Sequence, residues 1–199
     1  MTSGDATDRT DPLHPIILSA ARDNGLPAWA ICAPGRREHT QRVAELMDIW
    51  AAALALPQED RLRWRAAAIL HDALRDADPT ALVDWSDLEW PPKLLHGPAC
   101  AARLRADGVH DEELLDAITF HTAGNPHRTD ISDFLFMADF LEPGRRFLPA
   151  ERAAMRERLP DDRDAVLREV AAIRIGKRLE HGERLLSQSV DFWNRLIDE

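Results

Sequence analysis

Apolar residues recur along most of this chain at three- and four-residue intervals, the period that places them on one face of an α-helix. In HTQRVAELMDIWAAAL (residues 39–54), Val43, Leu46, Met47, Trp50 and Leu54 form one stripe. In EDRLRWRAAAILHDALRD (59–76), Leu62, Ala66, Ile69 and Leu70 repeat at comparable spacing. PPKLLHGPACAARLRADG (91–108) opens after a proline pair and stops at Gly108, the expected punctuation of a helix. The Gly97-Pro98 pair inside it predicts a break or kink. DEELLDAITFHTAG and DISDFLFMADFLEPG each close on glycine. A long charged and apolar helix then starts near Asp161, and a last one lines up Leu186, Val190, Trp193 and Ile197. No alternating strand pattern, internal repeat or low-complexity linker interrupts the series. The expected fold is all-α.

Composition narrows the function classes. With 199 residues and 45% apolar content, the chain suits one globular domain, or one domain with an appended helical segment. A formal net charge of -10 argues against a nucleic-acid backbone or an anionic membrane as main partner, because both demand basic surface. A phosphate substrate stays open if a local cation or arginine cluster overrides the overall field. No stretch approaches the roughly 20 apolar residues of a membrane span. MTSGDATDRTDP (1–12) is polar and acidic, and is expected to be a disordered leader rather than a targeting signal. Cys32 and Cys100 lack metal-motif spacing and suit reduced thiols in a cytoplasmic protein.

The chemistry lies in where the titratable residues point. His39 precedes Val43 by four, His71 follows Ala67 by four, and His96 lines up with Cys100. His121 follows Ile118 by three, and Asp139 follows Leu135 by four. Five predicted helices therefore each aim a His or Asp inward, and Asp72 adds one more. Taken singly, an inward histidine reads as a hydrogen-bonded core residue. An inward aspartate is harder to explain, because an unpaired buried carboxylate costs several kcal/mol or loses its charge. The Lys and Arg residues lie mostly on outward stripes, so a metal is the simplest counter-cation for Asp72 and Asp139. Four imidazoles and two carboxylates converging on one core form an N/O ligand set suited to iron, manganese or zinc. A second His-Asp pair, His110-Asp111, follows Gly108 and precedes Glu112 and Glu113, so it reads as a helix N-cap with a solvated histidine.

In order, His39, His71-Asp72, His96, His121 and Asp139 resemble the HD superfamily of metal-dependent phosphohydrolases. The segments RREHTQRV, AAILHDALRD, LLHGPACAARL and HTAGNPHRTDISDFLFMADFLEPGRRF are similar, more narrowly, to the YqeK family of symmetrical bis(5'-nucleosyl)-tetraphosphatases. The resemblance runs from about Arg36 to Phe147. It implies an HD helical bundle over residues 13–149, with 150–199 as additional C-terminal helices on the same domain. It further implies a binuclear, di-iron centre. His39, His71, Asp72 and Asp139 would hold one ion, His96 and His121 the other, and Asp72 would bridge them. Such a centre would supply hydroxide near neutral pH for attack on diadenosine tetraphosphate, giving two ADP. Arg145 in EPGRR is the leading phosphate contact, since a guanidinium meets phosphate oxygens in a bidentate way. Arg75 is a second catalytic candidate. Lys93, Thr122, Gly124 and His127 complete the expected substrate contacts. The family usually carries lysine where this chain has Arg75, lysine at the position of Asp133, and methionine at that of Arg128.

Two other readings compete. One is a different HD nucleotidase or phosphodiesterase. The stringent-response branch carries an acidic pair soon after the His-Asp, where HDALRD offers only Asp76, and the cyclic-dinucleotide branch carries a Gly-Tyr-Pro signature, which a chain without tyrosine lacks. The other is a non-catalytic metal or nucleotide sensor, which typically has lost a ligand, and none of the six is missing.

Overall fold

The structure is a computed structural model that describes residues 13–198, so the leader expected over residues 1–12 lies outside the described residues. Among the described residues every regular element is a helix. In chain order these are α1 (Pro15–Asp23), α2 (Pro34–Ala53), α3 (Gln58–Leu70), α4 (His96–Ala106), α5 (Glu112–Phe120), α6 (Asp130–Leu141), α7 (Pro149–Arg158), α8 (Arg163–Glu180) and α9 (Ser187–Asp198). Two 3₁₀ segments, Pro79–Trp85 and Pro92–Leu94, lead from α3 to α4.

The chain's end signals explain most of these bounds. Pro15, Pro34 and Pro149 each open a helix, where a missing N–H would have had no intrahelical partner. Asp111 caps α5 by accepting from the Leu114 N–H, as expected of the second His-Asp pair, and His110 is exposed. Thr129 caps α6 in a reciprocal box with Ser132. Thr129→Ala should therefore cost about 1 kcal/mol of stability in a thermal melt, with Thr129→Ser nearly neutral.

Helix α6 is the axis of the fold. Every residue from Ile131 to Leu141 is buried, and the helix packs on α2, α3, α5, α7 and α8. A helix buried on every side belongs in a core rather than on a surface. Phe134 on α6 meets Trp50 of α2 at 5.7 Å and Trp64 of α3 at 5.0 Å between ring centroids. Its neighbour Asp133 is fully buried, and Arg128 and Arg163 reach it at 3.0 and 2.8 Å. Two departures from the family pattern, Arg128 and Asp133, are thus partners in one buried ion pair.

Three expectations need correction. Gly97-Pro98 does not break a helix. It sits in the first turn of α4, which begins at His96 after the Pro92–Leu94 segment, and a proline there removes no intrahelical bond. Leu54 lies past the end of α2 and is 39% exposed. In α9 the buried side is Ser189, Phe192 and Leu196, while Val190 and Ile197 face solvent at 39% and 56% exposure. The stripe chosen from spacing alone was rotated, because Ser189 supplies an inward position that apolar counting skips. Helices α1 and α7 lie outside the stripes read from the sequence.

Candidate metal centre

Of the six residues singled out in the sequence, all but His39 lie at the ends of helices. His39 lies in the second turn of α2, His71 is the C-cap of α3 with Asp72 just beyond, and His96 is the first residue of α4. His121 is the C-cap of α5, and Asp139 sits in the last turn of α6. All six are buried, none more than 6% exposed.

Asp72 is the hub. Its Oδ2 faces His39 Nε2 at 3.8 Å and His71 Nε2 at 3.7 Å. Its Oδ1 faces His96 Nε2 at 3.2 Å and His121 Nε2 at 3.5 Å. One carboxylate thus offers each oxygen to a separate pair of imidazoles. His39 Nε2 also lies 3.2 Å from Asp139 Oδ1. In each of two groups, His39–His71–Asp72 and Asp72–His96–His121, the donor atoms lie within 4.8 Å of one another.

The imidazoles are turned for ligation. A backbone carbonyl can only accept, so His71 and His121 must donate Nδ1–H to Ala68 and Ile118, both at 2.7 Å. That leaves both Nε2 lone pairs facing inward, and His71 Nε2 is buried with no hydrogen-bond partner. Burial pushes His71 down to about 3, so it stays neutral across the physiological range. A buried, unpartnered lone pair beside an ionised carboxylate fits a divalent cation, and this donor set is one that binds it.

Glu142, which the sequence reading missed, orients the third imidazole. Its Oε1 lies 3.2 Å from His39 Nδ1, and Arg42 Nε and the Gly144 N–H hold its Oε2 at 2.6 and 2.7 Å. Such carboxylate–histidine pairs fix the ring and raise its basicity. Burial works against the ionised form of Glu142, but His39, Arg42 and Gly144 more than offset it and hold the carboxyl at about 2. Its one sequence signal is position, immediately before the Pro-Gly that ends α6.

Burial alone would lower His39, but hydrogen bonds to Asp139 and Glu142 raise it above its ordinary value. A group raised in the folded state adds stability below its unfolded value near 6.5 and loses that contribution as pH rises through the folded value. A metal needs the same nitrogen free of its proton, so binding runs the opposite way. Metal titration at pH 6 should give an affinity at least about tenfold weaker than at pH 8, with proton release at the lower pH. Equal affinity at both would remove His39 from the ligand set.

The expectation that Lys and Arg point outward is wrong at this site. Arg36 Nη1 lies 3.0 Å from Asp72 Oδ2, Arg145 Nη2 2.5 Å from Asp139 Oδ1, and Arg174 Nη2 3.2 Å from Asp139 Oδ2. Long guanidinium side chains reach back over positions whose Cβ points elsewhere. Burial opposes ionisation of Asp139, yet His39, Arg174 and Arg145 hold it well below its ordinary value. Asp72, opposed by burial in the same way, is held down by His71, His121 and His96.

Asp139 and Arg145 open onto a cavity of about 430 Å³. Six cationic side chains line it, Arg75, Arg145, Arg152, Arg174, Lys177 and Arg178, against the carboxylates of Asp139 and Glu183. This is the local positive field that an acidic chain needs to hold a phosphate. Arg75 donates to the Lys93 carbonyl at 2.8 Å and lies 3.4 Å from His96 Nδ1. Thr122 lines the cavity, and its Oγ1 is buried without a hydrogen-bond partner. Lys93 is instead tied to Glu183 at 2.6 Å. Gly124 serves packing, since a Cβ there would lie 2.1 Å from Phe192 Cδ1. His127 is exposed and borders a different depression beside α9, so the structure places it away from the centre.

Comparisons with known proteins identify the family and the fold. The profile of the HD domain matches residues 36–169. A symmetrical bis(5'-nucleosyl)-tetraphosphatase of Staphylococcus aureus is 35% identical over 120 residues, 55% of this chain and 60% of that protein's length. The protein of the same name from Halalkalibacterium halodurans is 30% identical over 135 residues, 63% of this chain and 72% of its own length. Among solved structures, a chain described as a predicted HD superfamily hydrolase involved in NAD metabolism, from Clostridium acetobutylicum, superposes with a TM-score of 0.74. That match covers 92% of this chain and 95% of the other at 23% identity, which establishes the shared fold.

Proposed function

Because the chain belongs to the HD domain family, with the match spanning residues 36–169, we propose that it is a metal-dependent hydrolase splitting diadenosine tetraphosphate symmetrically into two ADP. The observation that carries the reading is Asp72, one oxygen to each imidazole pair, beside a cavity lined by six cations. The names of the relatives from Staphylococcus aureus and Halalkalibacterium halodurans support the substrate.

In this reading His39, His71, Asp72 and Asp139 hold one divalent ion, and Asp72, His96 and His121 a second, both iron. When bound, the ions supply activated water and part of the charge neutralisation at phosphorus. The protein's own groups do the rest. Glu142 keeps His39 Nε2 aimed inward, and Arg174 pins the Asp139 oxygen that Arg145 does not hold. Arg145 and Arg75 meet phosphoryl oxygens at the cavity wall, where a planar guanidinium can bind two at once. Water attacks one of the two central phosphorus atoms, the central P–O bond breaks, and ADP departs with the bridging oxygen. ADP is a stable leaving group, so a nearby cation suffices in place of a strong protein acid. Residues 150–199 complete the same domain rather than forming a separate one, since Arg174, Lys177 and Arg178 on α8 line this cavity. The unpaired thiols of Cys32 and Cys100 suit the cytoplasm.

Metal analysis of protein produced with iron under reducing conditions tests the paired site. Two ions per chain are expected, and one ion or none would overturn the bridging role of Asp72.

A further inference from the structure

Two arginines are buried among the described residues, Arg63 and Arg152, and only the first has an ionic partner. Arg63 is 2% exposed and is met by Asp60, Asp111 and Glu113 at 2.9 Å or less. Arg174 is bonded to Asp139 and to the Phe136 carbonyl. Arg152, on α7, is 5% exposed, yet its Nε and Nη1 are buried with no hydrogen-bond partner. Among the described residues no carboxylate forms an ion pair with it. Its close contacts are aromatic, with the guanidinium carbon 4.0 Å from the Phe140 ring centroid and 5.6 Å from that of Phe147. A cation–π contact weakly offsets the cost of burying a charge, and an unpaired buried cation is strongly unfavourable. Burial, with Arg145 and Arg174 nearby, outweighs the longer-range attraction of Asp139 and Glu142 and lowers Arg152 to about 10.

The same side chain lines the cavity that opens from Asp139. Thr122, whose Oγ1 is also buried without a partner, lies on that wall too. Two residues with orphaned polar atoms and a surplus of positive charge thus line one space. We propose that Arg152 anchors an anion subsite in this cavity, with Thr122, Arg174 and Lys177, and that its occupant is a phosphate of the polyphosphate chain beyond the one attacked. Phosphate oxygens match both requirements, since they accept from a guanidinium fork in a bidentate way and from a hydroxyl. Within the reading of the centre as a phosphoanhydride hydrolase, on which this inference rests, the subsite grips the ADP half that is not being attacked. Arg152 is therefore a substrate-positioning residue bound up with chain length, and it lies outside the metal-holding groups.

Arg152→Met keeps the length and apolar packing of the side chain and removes its charge. In the metal-loaded protein, calorimetric titration with ADP should show binding weakened at least tenfold, and the KM for diadenosine tetraphosphate should rise by a similar factor. The variant's melting temperature should equal or exceed that of the wild type, because an uncompensated buried charge has gone. A structural role predicts the reverse pattern, a lower melting temperature with ADP affinity and KM unchanged, and that result overturns the proposal. Should Arg152→Met not fold, Arg152→Lys decides. A raised KM with wild-type metal content supports the subsite, and an unchanged KM overturns it. ADP binding that depends on Arg152 in a protein that does not cleave diadenosine tetraphosphate would keep the subsite and reject the substrate. Cleavage with KM indifferent to Arg152 would do the opposite.

Discussion

Asp72→Asn should reduce hydrolysis at least about a thousandfold, a loss of roughly 4 kcal/mol of transition-state stabilisation. The substitution is nearly isosteric, so it isolates charge from shape. An amide keeps one acceptor oxygen and replaces the other with a donor that has no lone pair for a cation. In the structure both oxygens are committed, Oδ2 to His39 and His71 and Oδ1 to His96 and His121. Losing either splits the two groups and removes the charge they share. Metal content should fall from two ions per chain to one or none. The metal-free fold should survive, because the carboxylate is held ionised against a burial penalty that asparagine does not carry. A variant that kept two ions and more than a tenth of wild-type activity would show that Asp72 does not bridge.

Gly97→Ala should damage the same centre without touching a ligand. Alanine is normally the better helix former by about 1 kcal/mol, so the expected sign is set by space alone. A Cβ at Gly97 would lie 2.6 Å from the Ile118 carbonyl oxygen, 3.0 Å from that of Thr119 and 3.1 Å from His121 Cε1. The first two are backbone atoms of α5 and cannot turn aside as a side-chain tip can. Helix α4 must therefore move off α5, for a net loss of about 1–3 kcal/mol. His96 precedes Gly97 and His121 follows α5, so the 3.1 Å approach of their Nε2 atoms opens as the helices part. Thermal melting should report the destabilisation, and metal analysis the loss of the ion proposed for His96 and His121. Gly176→Ala is the control, because nothing lies within 4 Å of its added Cβ on α8, and it should be neutral or stabilising by up to about 1 kcal/mol. If Gly97→Ala matched it, close packing of α4 on α5 would not position the site.

How much of this was legible in the chain depends on the length of the side chain concerned. Short inward residues were readable, because a His or Asp stays near the direction its Cβ takes, and periodicity gives that direction. Hence His39, His71, Asp72, His96, His121 and Asp139 could be gathered from spacing, and the structure brings the first five into two groups with Asp139 against His39. Arginine breaks the rule. Arg36, Arg152 and Arg174 carried no signal for the site, and Arg145 was marked only through the resemblance, yet all four reach the centre or its cavity. Arg174 in particular lies beyond the span from Arg36 to Phe147 that resembled the family, so nothing local tied α8 to the site. Glu142 looked like part of a turn, and only the fold shows it behind His39. The rotated face of α9 has a simpler cause, in that one inward serine outweighed two apolar residues left in solvent.

The most direct test of the account is product analysis. Metal-loaded protein is incubated with diadenosine tetraphosphate and the nucleotides are separated. ADP as the sole product, absent with Asp72→Asn, is the predicted result. AMP plus ATP would mean asymmetric cleavage and contradict the assignment while leaving a metallohydrolase, and no turnover by a fully loaded protein would contradict the substrate itself.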